Sequence, residues 1–127
     1  MSISLSELES LIRSEWCRET AWAPDAWDSM NPAGGQCFST SFVIKSLIGG
    51  EIVHAEVIPH TNPKQRHSWV QFPSGLKLDL TVDQFPRGQK FHTCELPEDL
   101  VWTYGGKQAE LLLTRVKAKL SQSIAEA

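Results

Sequence analysis

The sequence predicts one α+β domain over residues 1–127, with N-terminal helices packed on a small antiparallel sheet and a further helix at the C-terminus. Apolar residues recur at helical spacing in three segments, and shorter alternating segments lie between the second and the third of these. Turn-forming residues separate the alternating segments, which is typical of antiparallel strands. A chain of 127 residues can bury one hydrophobic core but is too short for two.

Three helices are predicted, over residues 5–16, 37–47 and 107–124. Leucine and isoleucine follow helical spacing in the first, and Ser4 or Ser6 can cap its start. A Trp-rich connection and a loop rich in proline and glycine, together spanning residues 20–36, lead to the second helix, which Gly49-Gly50 ends. In the third, Leu111, Leu112, Val116 and Leu120 form the apolar stripe.

Five strands are predicted, over residues 51–59, 67–72, 76–81, 91–96 and 101–104. The first alternates along its length and is followed by a polar loop over residues 59–66. Pro73-Ser74-Gly75 predicts a hairpin between the second and third strands, and residues 83–88 are predicted to be irregular.

Composition excludes several classes of function. The net charge is −3 and the pI about 5.8, so the basic face that nucleic-acid binding requires is not expected. No apolar run approaches the roughly 18 residues of a membrane span. The N-terminal residues include Glu7 and Glu9 instead of a basic start followed by an apolar stretch, so no signal peptide is predicted. We therefore expect a cytoplasmic protein.

The three cysteines are Cys17, Cys37 and Cys94, an odd number at wide spacing. In a cytoplasmic protein they stay reduced, so a disulfide framework is not predicted. The usual zinc-binding spacings of cysteine and histidine are absent, and no cofactor is expected.

Cys37 is the first candidate for chemistry. It follows Gly34-Gly35-Gln36 and opens a predicted helix, whose first turn carries unpaired N–H groups and a partial positive charge. Both favour a thiolate, which is the nucleophilic form of cysteine, and the Cys37 N–H could help to hold an oxyanion. The glycines would let the backbone approach a substrate closely, which makes Gly35 a candidate binding residue. The alternative is a buried cysteine with a packing role.

His67 and Asp79 are the candidate base and orienting acid. If the hairpin loop has three residues, Phe72 faces Leu76 and Asp79 lies diagonal to His67 on one sheet face, about 7–8 Å away. A two-residue loop would turn Asp79 to the opposite face. The alternation favours the first register, because it places leucines and Val70 on one face and the polar residues on the other. The alternative is an ordinary solvent-facing sheet surface.

Tryptophans near these positions are candidates for the walls of a cleft. Trp69, two residues after His67, is the candidate substrate-binding residue, and Trp22 or Trp27 lies before Cys37 in the chain.

Several segments carry a resemblance to a known family. The run Asn31-Pro32-Ala33-Gly34-Gly35-Gln36-Cys37 resembles a motif of the YunG-like family of small bacterial proteins. Further matches follow in the same order and cover about residues 16–88: Gly49-Gly50-Glu51, His67-Ser68-Trp69, and Asp79-Leu80-Thr81 with Gln84-Phe85. The chain departs from the pattern at Ser68 and Val70, where the family is expected to have an aromatic residue and an asparagine.

The order of a cysteine on a helix, then a histidine and an aspartate on successive strands, is also similar to papain-like folds. Peptidases, transglutaminases and arylamine N-acetyltransferases share it. The resemblance implies a papain-like cysteine proteinase fold, and an amide side chain before the cysteine that completes the oxyanion hole. Asn31 and Gln36 are the two candidates, and Asn31 is preferred because the side chain of the adjacent Gln36 is expected to point away from the thiol.

Three hypotheses follow. The first is a thiol hydrolase or acyl transferase acting on a peptide or a small acyl substrate, at an amide, isopeptide or thioester bond. The second is a binding or regulatory module that keeps the fold without turnover. The third is a metal site built from Cys37, His67 and Asp79.

Overall fold

The computed structural model describes residues 3–61 and 65–126, and over these ranges it confirms an α+β architecture with a four-stranded antiparallel sheet. Residues 62–64 of the predicted polar loop lie outside the described residues. The helices are α1 (Leu5–Ser14), α2 (Cys37–Ile48) and α3 (Glu98–Glu126), and the strands are β1 (Glu51–Ile58), β2 (Arg66–Gln71), β3 (Lys77–Leu78) and β4 (Lys90–Cys94). No helix in the described ranges combines the length and the apolar character needed to cross a bilayer.

The sheet has the order β3-β2-β1-β4, so β1 and β2 are its central strands. In the β1–β2 ladder Ala55 is opposite His67 and Val53 is opposite Trp69, and in the β1–β4 ladder Val57 is opposite Phe91. Directly opposed residues share a sheet face, so these side chains lie together on one face. That face carries His67.

The hairpin between β2 and β3 has the register predicted from a three-residue loop. Val70 pairs with Leu78, and the Phe72 N–H donates to the Leu76 carbonyl at 2.9 Å. Val70, Leu78 and Phe72 contribute to the hydrophobic core, as the alternation predicts. The polar face, however, is not a solvent surface, because His67 and Trp69 are both buried.

The predicted strand over residues 76–81 is too long, since β3 ends at Leu78. Asp79 is the cause: its carboxylate accepts the Thr81 N–H at 3.3 Å, and a short 3₁₀ turn, Val82–Gln84, follows. An aspartate that bonds to a nearby backbone N–H gives the chain an alternative to the strand ladder. Asp79 therefore lies just beyond the strand.

The predicted strand over residues 101–104 is wrong, because this segment belongs to α3. Acidic residues occupy the first turn of the helix, where its dipole favours negative charge. Gly105 and Gly106 lie inside the helix. A Cβ on Gly105 would lie 2.5 Å from the Trp22 ring, and one on Gly106 would lie 2.5 Å from the Trp102 ring. These glycines make room for indole rings.

The main core lies between the three helices and the sheet. Its buried members come from every helix, from the loop before α2 and from the β2–β3 hairpin: Leu8, Ile12, Trp16, Ala33, Val43, Ile44, Val70, Leu80, Leu112 and Val116. A smaller cluster of Phe38, Val101 and Ala109 joins α2 to α3. Phe38, directly after Cys37, belongs to this second cluster, so the start of α2 packs against α3.

Candidate functional site

The loop before α2 has an unusually close fit against the chain around residue 26. A Cβ on Gly34 would lie 2.1 Å from the Ala26 carbonyl oxygen, and one on Gly35 would lie 2.9 Å from the Ala26 Cβ. Gly35 also has φ +73°, in the region where residues with side chains are strained. The glycines thus let the loop pass Ala26 and present Cys37.

Replacing Gly34 with alanine should therefore displace this loop. We expect Gly34→Ala to lower the free energy of unfolding by about 1–3 kcal/mol, because the new methyl group collides with backbone that has little freedom to move. Thermal and denaturant unfolding measure this change. The rate of Cys37 alkylation in the folded variant should also differ from the rate in the wild type.

Gly88→Ala is the matched control. Gly88 has φ +85° but no heavy atom near its Cβ position, so alanine there introduces backbone strain without a collision. It should leave the Cys37 alkylation rate unchanged. Equal labelling rates in wild type and Gly34→Ala would show that the loop does not set the position of the thiol.

Cys37 is the first residue of α2, and Gln36 precedes the helix as its N-cap. The first N–H groups of a helix have no partner within the helix, and its dipole is positive there. The thiol is partly exposed and belongs to the wall of a cavity of about 640 Å³. The thiol therefore combines access to a ligand with an environment that favours negative charge.

His67 and Asp79 form a buried pair. The His67 Nε2 lies 2.6 Å from an Asp79 carboxylate oxygen, with the imidazole fully buried and 8% of the Asp79 side chain exposed. Phe91 stacks on the imidazole and Phe85 meets it edge-on, each with ring centroids 4.9 Å apart. The aromatic rings exclude water from the pair, which strengthens its electrostatic attraction.

The pKa of His67 is raised from 6.5 to about 9. Burial of the imidazole is the largest influence and acts to lower the pKa, but hydrogen bonds to Asp79 and to Cys37 and the negative charge of both partners outweigh it. His67 is therefore an imidazolium at neutral pH. The influence of Cys37 on this pKa indicates that its thiol lies near the imidazole.

Asp79 contacts the His67 ring, and Cys37 raises the pKa of the same ring. Since Nε2 is bound to Asp79, Nδ1 is the ring nitrogen directed away from the carboxylate. No three His, Cys, Asp or Glu side chains in residues 3–61 and 65–126 form a group that could hold a metal ion.

Gln84 is a site residue to which the sequence analysis assigned no role. Its side-chain nitrogen lies 3.4 Å from His67 Nδ1, and its oxygen accepts the Gly35 N–H at 3.3 Å. It also lines the cavity. Gln84 stands next to Phe85 in one of the family-like segments, and this was the signal that could have identified it. In the structure both side chains lie against the His67 ring.

The two candidate oxyanion donors have different surroundings. Asn31 is exposed and lines the cavity beside Cys37. Gln36 is fully buried: its side-chain nitrogen donates to the Cys17 carbonyl at 2.8 Å, and its oxygen accepts from the Thr20 hydroxyl at 2.7 Å. Its side chain therefore ties the start of α2 to the segment after α1, and it has no free donor directed at the cavity.

The candidate substrate-binding residues also differ. Gly35 lines the cavity, as does Trp22. Trp69 is buried and lies next to His67, with the Lys77 ammonium 4.0 Å from the centre of its ring, and it is not among the described cavity residues. A direct contact between Trp69 and a ligand in this cavity would need a rearrangement, whereas its contact with the His67 ring is already made.

Together these features define a class of protein: a small α+β domain with a buried histidine–aspartate pair and, at the start of a helix, a cysteine that lines an open cavity. The sequence model described as "YunG protein" matches residues 4–121. The chain belongs to the YunG family, which confirms the family resemblance. No curated protein matches the chain, and no solved structure matches it.

Proposed function

We propose that this protein is a cysteine-dependent hydrolase or acyl transferase with a papain-like site, acting on an amide, isopeptide or thioester bond. The observation that carries the proposal is the buried His67–Asp79 pair within reach of a thiol at a helix N-terminus. An imidazolium held beside a sulfur stabilises the thiolate, and a carboxylate fixes the orientation of the ring. The neighbouring cavity supplies space for an acyl group.

In the first half of the reaction, the Cys37 sulfur attacks the carbonyl carbon and a C–S bond forms. The carbonyl electrons move to oxygen, where the Cys37 N–H and an amide side chain stabilise the charge. Asn31, which lines the cavity beside Cys37, is the amide proposed for this role. The imidazolium of His67 then protonates the leaving group as its bond to carbon breaks.

In the second half, water or an acceptor nucleophile attacks the acyl thioester. His67, now neutral, takes the proton of the attacking group, and Cys37 leaves as a thiolate. Throughout both halves Asp79 accepts the Nε2 hydrogen bond, so Nδ1 keeps facing the sulfur. Hydrolysis and transfer differ only in the nucleophile that enters.

Trapping of the acyl-enzyme tests the proposal. Incubation with p-nitrophenyl acetate should place one acetyl group on Cys37, detected by mass spectrometry of the digested protein, with a matching burst of p-nitrophenolate. Cys37→Ser should abolish the burst because a serine hydroxyl is not ionised at this site. Cys94→Ser, which removes a partly exposed cysteine of β4, should keep it. Slow, equal acetylation of all three cysteines would contradict the proposal.

The second candidate is a binding module without turnover, and the complete burial of the His67 ring favours it, because the ring has no direct access to solvent. In that case the protein would bind a ligand in the cavity, and Cys37 would show no burst with the activated ester. The trapping experiment therefore separates the two functions.

A further inference from the structure

The lining of the cavity beside Cys37 includes two chemically different groups of residues, which we call the apolar wall and the polar wall. One is apolar and consists of Trp22, Phe38, Leu96, Leu100 and Val101. The other is polar and consists of His54, Thr61, Gln65, Arg66 and Ser68. A cavity of about 640 Å³ has the size of a small-molecule site, and this division would orient a ligand with one apolar and one polar part.

The apolar wall is preformed and open. Trp22 meets Phe38 edge-on with ring centroids 6.2 Å apart, and Phe38 directly follows Cys37 in α2. Trp22 is 41% exposed and Leu100 is 43% exposed, a high fraction for such large apolar side chains. An apolar chain or ring that covered them would remove this surface from water, which is favourable.

The polar wall is positively charged. Arg66 is the cationic residue among the described lining residues, and none of these is an aspartate or a glutamate. Burial, and secondly the charge of Arg66, lower the pKa of His54, so His54 is neutral at pH 7. Glu56 is opposite Arg66 across the strands, but it contacts His60 at 2.8 Å and is not a described cavity residue. The wall therefore suits an anion.

Hydrogen bonding and stacking hold the polar wall in place. His54 Nδ1 and the Ser68 hydroxyl lie 2.8 Å apart on the paired central strands, and the His54 ring stacks on Phe38 with centroids 6.4 Å apart. These contacts fix the part of the cavity between Cys37 and Arg66. A ligand that spans the two residues would meet a surface that needs little reordering.

We propose that the cavity binds an acyl compound that carries a carboxylate: its apolar part lies on Trp22, Phe38 and Leu100, and its carboxylate pairs with Arg66. The choice of an acyl compound rests on the proposed function of Cys37, whereas the binding of an apolar carboxylate can be measured without any reaction. Arg66 has the planar donor geometry that suits a carboxylate, and it is the specificity-determining residue.

Binding to the Cys37→Ser protein tests this assignment. The probes are the N-benzyl monoamides of glutaric, adipic and suberic acid, each compared with the neutral diamide of the same length, by isothermal titration calorimetry. At least one acid should bind about tenfold or more tightly than its diamide, because it makes a charge-assisted pair. Arg66→Gln in the same background should remove this difference.

Arg87→Gln is the matched control, because Arg87 is an exposed arginine that does not line the cavity. It should leave the preference for the acid intact. Equal binding of acid and diamide, binding of neither, or a preference that survives Arg66→Gln would each overturn the assignment. In a further outcome, the Cys37→Ser protein binds the acid in preference to the diamide while the wild type forms no acyl-enzyme. That result would uphold the assignment of the ligand and reject the proposed reaction.

Discussion

His67→Gln should slow the alkylation of Cys37 by iodoacetamide about 100-fold at pH 7. In the proposed site the His67 imidazolium stabilises the nucleophilic form of the Cys37 sulfur. Glutamine can occupy part of the ring volume and can donate a hydrogen bond, but it carries no charge. The sulfur then loses its cationic partner, and the rate constant of alkylation falls. Quantitative mass spectrometry of the labelled peptides measures the rate at each cysteine.

Two comparisons make this experiment decisive. His92→Gln changes an exposed histidine of β4 and should leave the Cys37 rate as it is. The alkylation rates at Cys17 and Cys94 report on folding, since both rates would rise if the variant lost its folded structure. An unchanged Cys37 rate in folded His67→Gln protein would show that the imidazole does not activate the thiol, and the proposed reaction would fail with it.

Asp79→Asn should lower the pKa of His67 from its value of about 9. The carboxylate accepts the Nε2 hydrogen bond at 2.6 Å and adds a negative charge in a water-free environment. Without that charge, burial of the ring is opposed by Cys37 alone, and the imidazole becomes neutral at a lower pH. A titration of the His67 ring signals by NMR measures the shift. A range of about pH 5 to 10 covers the pKa of His67 in both the wild type and the variant.

The raised pKa of His67 also predicts how the free energy of unfolding depends on pH. The folded protein holds the His67 proton more tightly than the unfolded chain, so this contribution is fully present below a pH of about 6.5 and is lost as the pH rises through about 9. It amounts to about 3 kcal/mol between these limits. Asp79→Asn should therefore have a much lower unfolding temperature than the wild type at about pH 6. The difference between the two unfolding temperatures should be small at about pH 10, above the pKa of His67 in the folded protein.

Asp83→Asn is the control for this series. Asp83 lies close in sequence but is half exposed and pairs with Arg13 at 2.7 Å, so its loss should not change the His67 titration. A His67 pKa that stays near 9 in Asp79→Asn would show that the carboxylate does not hold the proton. In that case Asp79 would be only a turn-forming residue through its bond to the Thr81 N–H.

Local chemistry made part of this arrangement predictable. The three-residue hairpin fixed the register that puts His67 and Asp79 on one face, and the glycines before Cys37 and after α2 marked the ends of that helix. These inferences depend on neighbours along the chain. The class of fold followed from the same short-range patterns.

Features that depend on distant contacts were not predictable in the same way. Gly105 and Gly106 lie inside α3, and nothing in their own segment shows that Trp22 and Trp102 occupy the space beside them. The burial of His67 also depends on Phe85 and Phe91, which come from a turn and from β4. Gln84 reaches the imidazole only because β3 ends early and the chain turns back.

Leu100 and Val101 of the C-terminal helix line the cavity, and Gly105 of the same helix lies against the Trp22 ring. The segments that resemble the family motifs end near residue 88, so a fragment trimmed to those motifs would retain Cys37, His67 and Asp79 and yet lose Leu96, Leu100 and Val101. Such a fragment would lack part of the apolar lining of the cavity. The C-terminal third of the chain, which carries none of the family-like segments, therefore contributes to the same pocket as Cys37.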